Sequence, residues 1–547
     1  MTQHIFRATI AVQILFCLVA SGQQTKTVAQ ADAGQFRHVK QFGALGDGVT
    51  DDTDAIQVAV NAIGESGGGT LLFPPGTYVV RSVGLRAGIR YLGYGAIIRR
   101  PAKQGKWVRT FDAAKKGYVH SAEEDSRPLV IEGLTFDGNL ANQGPHEKYE
   151  LEQAHLVFLC ADPNRAGRLQ AKILNCHFQD CVADGISVYT NVDVQVTNCT
   201  ARDCFRGGIT VTGGYTRAQI TDFTAQGKRH PTGIDIEIDG LGFGKSLQVE
   251  ISINGLMLPS GDFDVAVSDG STVVGSNIIA QAPFYLHARD SVVRFSNSTF
   301  GVGQYSAYNN RIVHPGDTTF HNCTFTVDGK SGDQKAKWAA IHVYWNISGG
   351  TLEKQSLRVI DCDFRVSPGI ADADTTYAIY CEGDHAEKNN RLLVDGGRIP
   401  ADFDYGVYIF QGGTVALRAT DIRAATPMYF GLAENWNLDV LVERMYIERT
   451  QRYAVIVTHG PEHRFTHRDV WVDEAANVIE TSDGIAKNQY AGGRTILGAS
   501  PPTAQTHGLK GDVYRLKTPA TGQVYEWVCT QSGCGKDAIW RPLARVE

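Results

Sequence analysis

The sequence predicts an all-β chain built as a right-handed parallel β-helix, a solenoid with an N-terminal capping helix and a small C-terminal β module. Three observations carry that prediction. A unit of about 23 residues recurs, a short apolar strand closing on Asn or Asp, at Asn175, Asn198, Asp222, Asn254, Asn277, Asn297, Asn322, Asp361, Asp395 and Asp421, with Asp469 as a weaker late member. A fixed period of this size marks stacked supersecondary units, none of which buries its apolar face alone. Inside the units apolar residues alternate with period two, as in Ile186/Val188, Ile209/Val211, Ile234/Ile236/Ile238, Val265/Val267, Ile341/Val343 and Val407/Ile409. That is the pattern of strands, not helices. Finally, a leucine-rich repeat would show helical spacing with Leu at fixed offsets, and a propeller blade would need four strands and about twice the length. The Asn/Asp column is expected as a ladder that hydrogen-bonds backbone at a repeated tight bend.

Residues 1–31 read as an export signal: Arg7, an apolar run from Ile10 to Ala20, then small residues at Ala20-Ser21-Gly22 and Ala29-Gln30-Ala31. The run is too short to span a membrane, and Cys17 lacks the small residues that a lipid-anchor signal places before it, so the expectation is a secreted or periplasmic protein. Residues 36–128 form the cap and first coils. Asp51, Asp52 and Asp54 open a helix in which Ala55, Ile56, Ala59, Val60 and Ile63 share a face, and Gly67-Gly68-Gly69 closes it. Two strands joined by Pro74-Pro75-Gly76 follow. Such a helix plugs the open end of a solenoid core.

At these residues the chain resembles a family. The run FGALGDGVTDDTDAIQ followed by GGGTLLFPPGTY is similar to the N-terminal signature of the pectate-lyase superfamily, pectin-lyase-like β-helix proteins that include rhamnogalacturonase-type hydrolases, polysaccharide lyases, alginate epimerases and tailspike depolymerases. The resemblance implies the fold over residues 36–480 and a polysaccharide substrate, but the signature belongs to the cap, so the reaction stays open. The Asn-Thr-Asp, Asp-Asp and Gly-His-Gly series of polygalacturonase-type enzymes is not found. The epimerase Asp-Pro-His-Glu motif has only the counterpart Gly144-Pro145-His146-Glu147, two coils too early and without the Asp.

The β-helix proper occupies residues 129–500, with inserts at 138–154, 227–231, 240–246, 302–309, 329–337, 347–355, 369–375 and 385–390 that would wall a binding face. After Pro501-Pro502, residues 501–547 form a small module of short aromatic-bearing strands. Of eleven cysteines, Cys176, Cys199, Cys323 and Cys362 share one coil position and Cys181 and Cys204 another, the arrangement of stacked core thiols. Cys529 and Cys534 flank a short loop and are expected to form a disulfide. A net charge of −6 excludes nucleic acid and anionic membrane as natural partners. The chain is expected as a monomer or homotrimer.

The residues between the apolar ones are carboxylates, His and Tyr where Ser, Thr and Lys would be ordinary. Two groupings compete. Asp235 and Glu237 alternate with isoleucines, so both project from one face with Cα atoms about 6.6 Å apart. That spacing suits a general acid and base for glycoside hydrolysis, and crowding with Asp239 should raise at least one pKa. The other grouping serves β-elimination on a uronic acid: Arg289 for the carboxylate, His287 or His342 as base, Tyr344 as acid, with Tyr380 and Glu382 nearby. Tyr189, Tyr285, Tyr380 and Tyr408 would offer faces to sugar rings. Hydrolysis is slightly favoured over elimination; epimerisation and non-catalytic glycan binding are the further alternatives. No cofactor is required, no metal ligand set is assigned, and Ca²⁺ is possible at the acidic strand.

Overall fold

The computed structural model describes residues 35–114, 127–144, 150–162, 167–227, 233–237, 248–268, 270–281, 284–301, 311–313, 316–327, 338–345, 355–368, 375–383, 390–410, 413–430, 438–447, 453–457, 464–481, 493–533 and 538–546. The signal segment, residues 145–147 of the epimerase-like run, most of the expected inserts, Asp239 and Cys534 lie outside them.

Strand follows strand in parallel, each hydrogen-bonded to its counterpart one coil away. Val192–Arg202 pairs with Thr216–Gln226, and that with Val249–Ser260. These long strands are two faces of one coil, because each bends at a residue in the left-handed conformation, such as Asn198 (φ 51°) and Asp222 (φ 51°). A separate sheet, thirteen strands among the described residues, forms the remaining face from Val83–Gly84 to Thr426–Phe430. The chain is thus a right-handed parallel β-helix.

The Asx ladder exists, with three corrections. Where Asn254 and Asp395 were expected at the bend, the register puts Gly255 and Gly396 there, opposite Asp222 and Asp361, and both have positive φ. Ala419 and Arg444 take the place after Gly396, so Asp421 is off the column. The amides also bond one another, not the backbone: Asn198 Nδ2 donates to Asn175 Oδ1 (2.7 Å) and Asn322 Nδ2 to Asn297 Oδ1 (2.7 Å). Asn and Asp serve here because their short polar side chains tolerate the left-handed region.

Inside, aliphatic and aromatic residues stack coil upon coil, with Phe136 on Phe178 (5.1 Å between centroids, 6° between planes) and Phe295 on Phe320 (5.7 Å). Cys176, Cys181, Cys199, Cys204, Cys323 and Cys362 are free and buried in this core, as the column reading predicts.

The helix Thr53–Glu65 buries Ile56, Ala59, Val60 and Ile63 against the first coil. Asp52 precedes it but does not cap it; its carboxylate accepts instead from the backbone N–H groups of Leu45 (2.6 Å) and Gly46 (3.1 Å). At the other end Arg494–Gly498 pairs in parallel with Val513–Leu516, which continues antiparallel into Val524–Gln531 and Ile539–Arg545. The module is therefore sewn onto the solenoid sheet. A fully buried ion pair, Arg494 Nη2 to Asp512 Oδ2 at 2.5 Å, fixes the joint. Cys529 is buried with a free thiol whose Sγ lies 3.1 Å from the Gln531 carbonyl.

Candidate active site on the outward sheet

Because parallel strands stack in register, one outward position runs through the thirteen-stranded sheet as a column: Asp112, Phe158, Ser187, Thr210, Asp235, Asp264, Tyr285, Arg311, His342, Tyr380, Tyr408, Tyr429. Two residues on, a second column holds Thr212, Glu237, Ala266, His287, Val313, Tyr344, Glu382 and Phe410. Neighbours in a column sit one strand spacing apart, about 4.8 Å. Asp235 and Glu237 share the strand Gly233–Glu237 and both point away from the core, while Ile234 and Ile236 are buried.

Arg206 organises this acidic region. Its Nη2 lies 2.5 Å from Glu237 Oε1 and 3.8 Å from Asp235 Oδ2, and its Nε 3.9 Å from Asp184 Oδ1. Asp184 is fully buried and takes His155 as its other close neighbour, Nδ1 to Oδ2 at 3.0 Å. His155 and Asp184 occupy equivalent places, each two residues ahead of the paired Val157 and Ile186. Beside them the Arg109 guanidinium lies 3.4 Å from the centroid of the Phe158 ring, and the Tyr189 ring centroid lies 6.0 Å from that of Phe158.

The electrostatic result is asymmetric. Burial, then the carboxylates of Glu237, Asp264 and Asp184, push Asp235 up to about 8, despite Arg206. Burial, then Asp262 and Glu237, push Asp264 up to about 7, and burial also raises Asp262. For Arg206 burial works against the charge, but Asp184, Glu237 and Asp235 outweigh it and raise its pKa. At neutral pH Asp235 holds a proton beside Glu237, which is closely paired with a guanidinium. Two neighbouring carboxyl groups, one pushed up in pKa and the other paired with a guanidinium, are the arrangement that acid–base chemistry uses.

The second grouping is drawn together only in part. His342 Nε2 lies 2.8 Å from Glu382 Oε1, and Tyr380 donates its hydroxyl to Glu382 Oε2 at 3.0 Å. His287 stands two strands from Tyr344 in the second column. Burial, then Arg289, lowers its pKa. Arg289 falls just beyond the strand Phe284–Ala288, exposed, with its Nε 3.7 Å from Asp290 Oδ2. Tyr285 separates Asp264 from Arg311 in the column.

One of the tyrosines expected as an open sugar-stacking platform is covered instead. Tyr380 is only 2% exposed. Its ring stacks on Tyr408 (5.1 Å, 20°), Tyr408 stacks on Tyr429 (4.3 Å, 6°), and Tyr377 and Tyr405 close the cluster from the side. The rings of this cluster cover one another. Among the described residues no three His, Cys, Asp or Glu side chains converge as a metal site.

Asp184, Arg206, His155 and Arg109 were not picked out from the sequence. The signal existed: Asp184 and Arg206 each stand directly before the glycine that opens a strand in adjacent repeats, Asp184-Gly185-Ile186 and Arg206-Gly207-Gly208-Ile209.

The fold is that of a right-handed parallel β-helix, and two stretches of the chain match family models. Residues 36–97 match the family model "Rhamnogalacturonase A/epimerase, pectate lyase-like" and residues 122–225 the "Right handed beta helix region". Alginate lyase 7 of Azotobacter vinelandii is 37% identical over 117 residues, 19% of this chain and 13% of the relative. Mannuronan C5-epimerase AlgE6 of the same organism is 38% identical over 118 residues, again 19% and 13%. The match thus spans only about an eighth of these relatives' length. Among solved structures, the A-module of A. vinelandii mannuronan C-5 epimerase AlgE4 superposes with a TM-score of 0.35 and 17% identity over 72% of this chain and 99% of that one.

Proposed function

We propose that the chain is a polysaccharide-acting enzyme whose reaction centre is the acidic strand, with Asp235 as general acid and Glu237 as the ionised partner. The observation that carries this reading is the split between them: burial and like charge keep Asp235 protonated up to about pH 8, while Glu237 faces Arg206 at 2.5 Å. A proton on Asp235 serves the leaving glycosidic oxygen. The Glu237 carboxylate then takes a proton from the attacking water, which gives hydrolysis. Arg206, held from behind by Asp184, keeps the two carboxyl groups apart in charge. Asp264 and Tyr285 follow in the same column and would contact the flanking sugars.

A second reading, proton abstraction from a uronate ring leading to elimination or epimerisation, is favoured by the names of the partial relatives and by the joined His342–Glu382–Tyr380 group. Asp235 remains the proton donor in it. Calcium at the acidic strand belongs to the same open set, and we propose export from the N-terminal segment.

A panel of neutral and uronate polysaccharides separates the readings. Release of reducing ends alone means hydrolysis; reducing ends with the ultraviolet absorbance of an unsaturated uronate mean elimination. Solvent deuterium entering the polymer without cleavage means epimerisation. Inactivity on the whole panel, with and without added Ca²⁺, would sink the enzyme assignment.

A further inference from the structure

Around the coil corner that follows the outward sheet lies an open concavity of about 540 Å³, lined by Arg168, Gln170, Asp193, Tyr215 and Arg217 among others. Gln170, Asp193 and Arg217 hold one register position in three successive coils. Two residues before that position the chain turns through the left-handed conformation: Asn191 (φ 55°) and Tyr215 (φ 59°) here, Gly270 (φ 79°) and Asp290 (φ 51°) in later coils. Asn, Gly and Asp accept that conformation readily, whereas a bulky aromatic residue is a steric outlier there. Local rules broken without local benefit mark places kept for another purpose.

The surroundings hold Tyr215 in that strained place. Its N–H donates to the Gln248 carbonyl (2.9 Å) and its carbonyl accepts from Arg168 Nε (2.7 Å), leaving the residue 37% exposed at the rim of the concavity. Arg217 is committed to Asp193 (3.6 Å) and Glu250 (2.8 Å). Arg168 makes no ion pair among the described residues, so its guanidinium retains N–H donors and a full charge.

We infer that this corner is a second saccharide site, separate from the outward sheet, that takes an acidic oligosaccharide. Tyr215 gives an apolar ring to a pyranose face, Arg168 meets the uronate carboxylate, and Gln170 and Asp193 bond hydroxyl groups. The inference rests on the reading of the chain as polysaccharide-acting, but not on which reaction it performs.

The test is calorimetric titration of the full chain carrying Asp235→Asn, so that turnover does not consume the probe, with an oligomannuronate hexamer and with maltohexaose. The expected result is that Arg168→Ala and Tyr215→Gly each remove one binding event for the acidic hexamer. Tyr215→Gly should melt no lower than its parent, because glycine relieves the turn, which rules out misfolding as the cause. A parent that binds no acidic hexamer, variants whose isotherms superpose on the parent's, or equal corner binding of maltohexaose would overturn the site. Persistence of the corner event in a chain inactive on every polymer would sink the enzyme assignment and leave this site standing.

Discussion

From Thr210 to Asp264 the outward column of the sheet carries hydroxyl and carboxyl groups; from His342 to Tyr429 the same column carries rings. The backbone is the same in both halves, and so is the spacing of about 4.8 Å between neighbours. At that distance like side chains amplify whatever they do. Aromatic rings gain by stacking, as Tyr380, Tyr408 and Tyr429 do, whereas carboxyl groups that are buried and surrounded by other carboxylates are pushed toward the neutral form, as Asp235 and Asp264 are. The tyrosine half is what a solenoid builds to hold itself together. The acidic half works against stability, so its retention points to chemistry.

The sharpest break of this comparison is Asp235→Asn. Turnover should fall at least about 100-fold, because the amide keeps the shape and cannot donate the proton. Folding should improve at alkaline pH. The Asp235 pKa is raised, so the native state binds a proton that the unfolded chain releases near pH 4. Wild-type stability contributed by this group is therefore lost progressively from about pH 4 up to about 8, and the variant should lack that loss. Melting curves at pH 5 and pH 8.5 check the sign. Should Asp235→Asn stay active while His342→Ala is dead, the reactive centre belongs to the other half.

Next in size is Arg206→Ala. Arg206 lowers the Asp235 pKa, so its removal should raise that pKa further and move the alkaline limb of the pH–rate profile upward. An unmoved limb would detach Asp235 from the observed profile. In the aromatic half, Tyr408→Ala should cost about 2 kcal/mol by deleting a ring stacked on both faces, with Tyr408→Phe close to neutral; denaturant unfolding measures both. The smallest effect is expected on the Asx ladder. Asn198→Ala should cost about 1 kcal/mol through the left-handed bend, and Asn198→Gly less, since glycine meets no steric penalty there. Equal costs for both would transfer the effect to the lost bond with Asn175.

Period two made the strands, their inward faces and the outward placement of Asp235, Glu237, Asp264, His342 and Glu382 legible in the sequence, because alternation is a property of the single chain. What depends on the contact of one coil with the next was not. The occlusion of Tyr380 by Tyr408 appears only once the register is fixed. Asp184 and Arg206 escape the alternation because they sit in the turn before the strand, where no periodicity applies. The bend column slipped by one at Gly255 and Gly396, since a glycine serves the left-handed position better than the Asn or Asp beside it.

The antiparallel turn-back after Val513–Leu516 has a consequence for the molecule among its own copies. A parallel solenoid is a template that any extended segment can lengthen by one more rung, and bare rungs are how such folds become fibres. Here the sheet reverses direction, and its last described strand, Ile539–Arg545, carries Pro542 together with Arg541 and Arg545. Proline withholds a donor and the arginines repel an identical edge. The reversal beside the joint pinned by Arg494 and Asp512 thus makes this part of the sheet a poorer template for a further parallel rung.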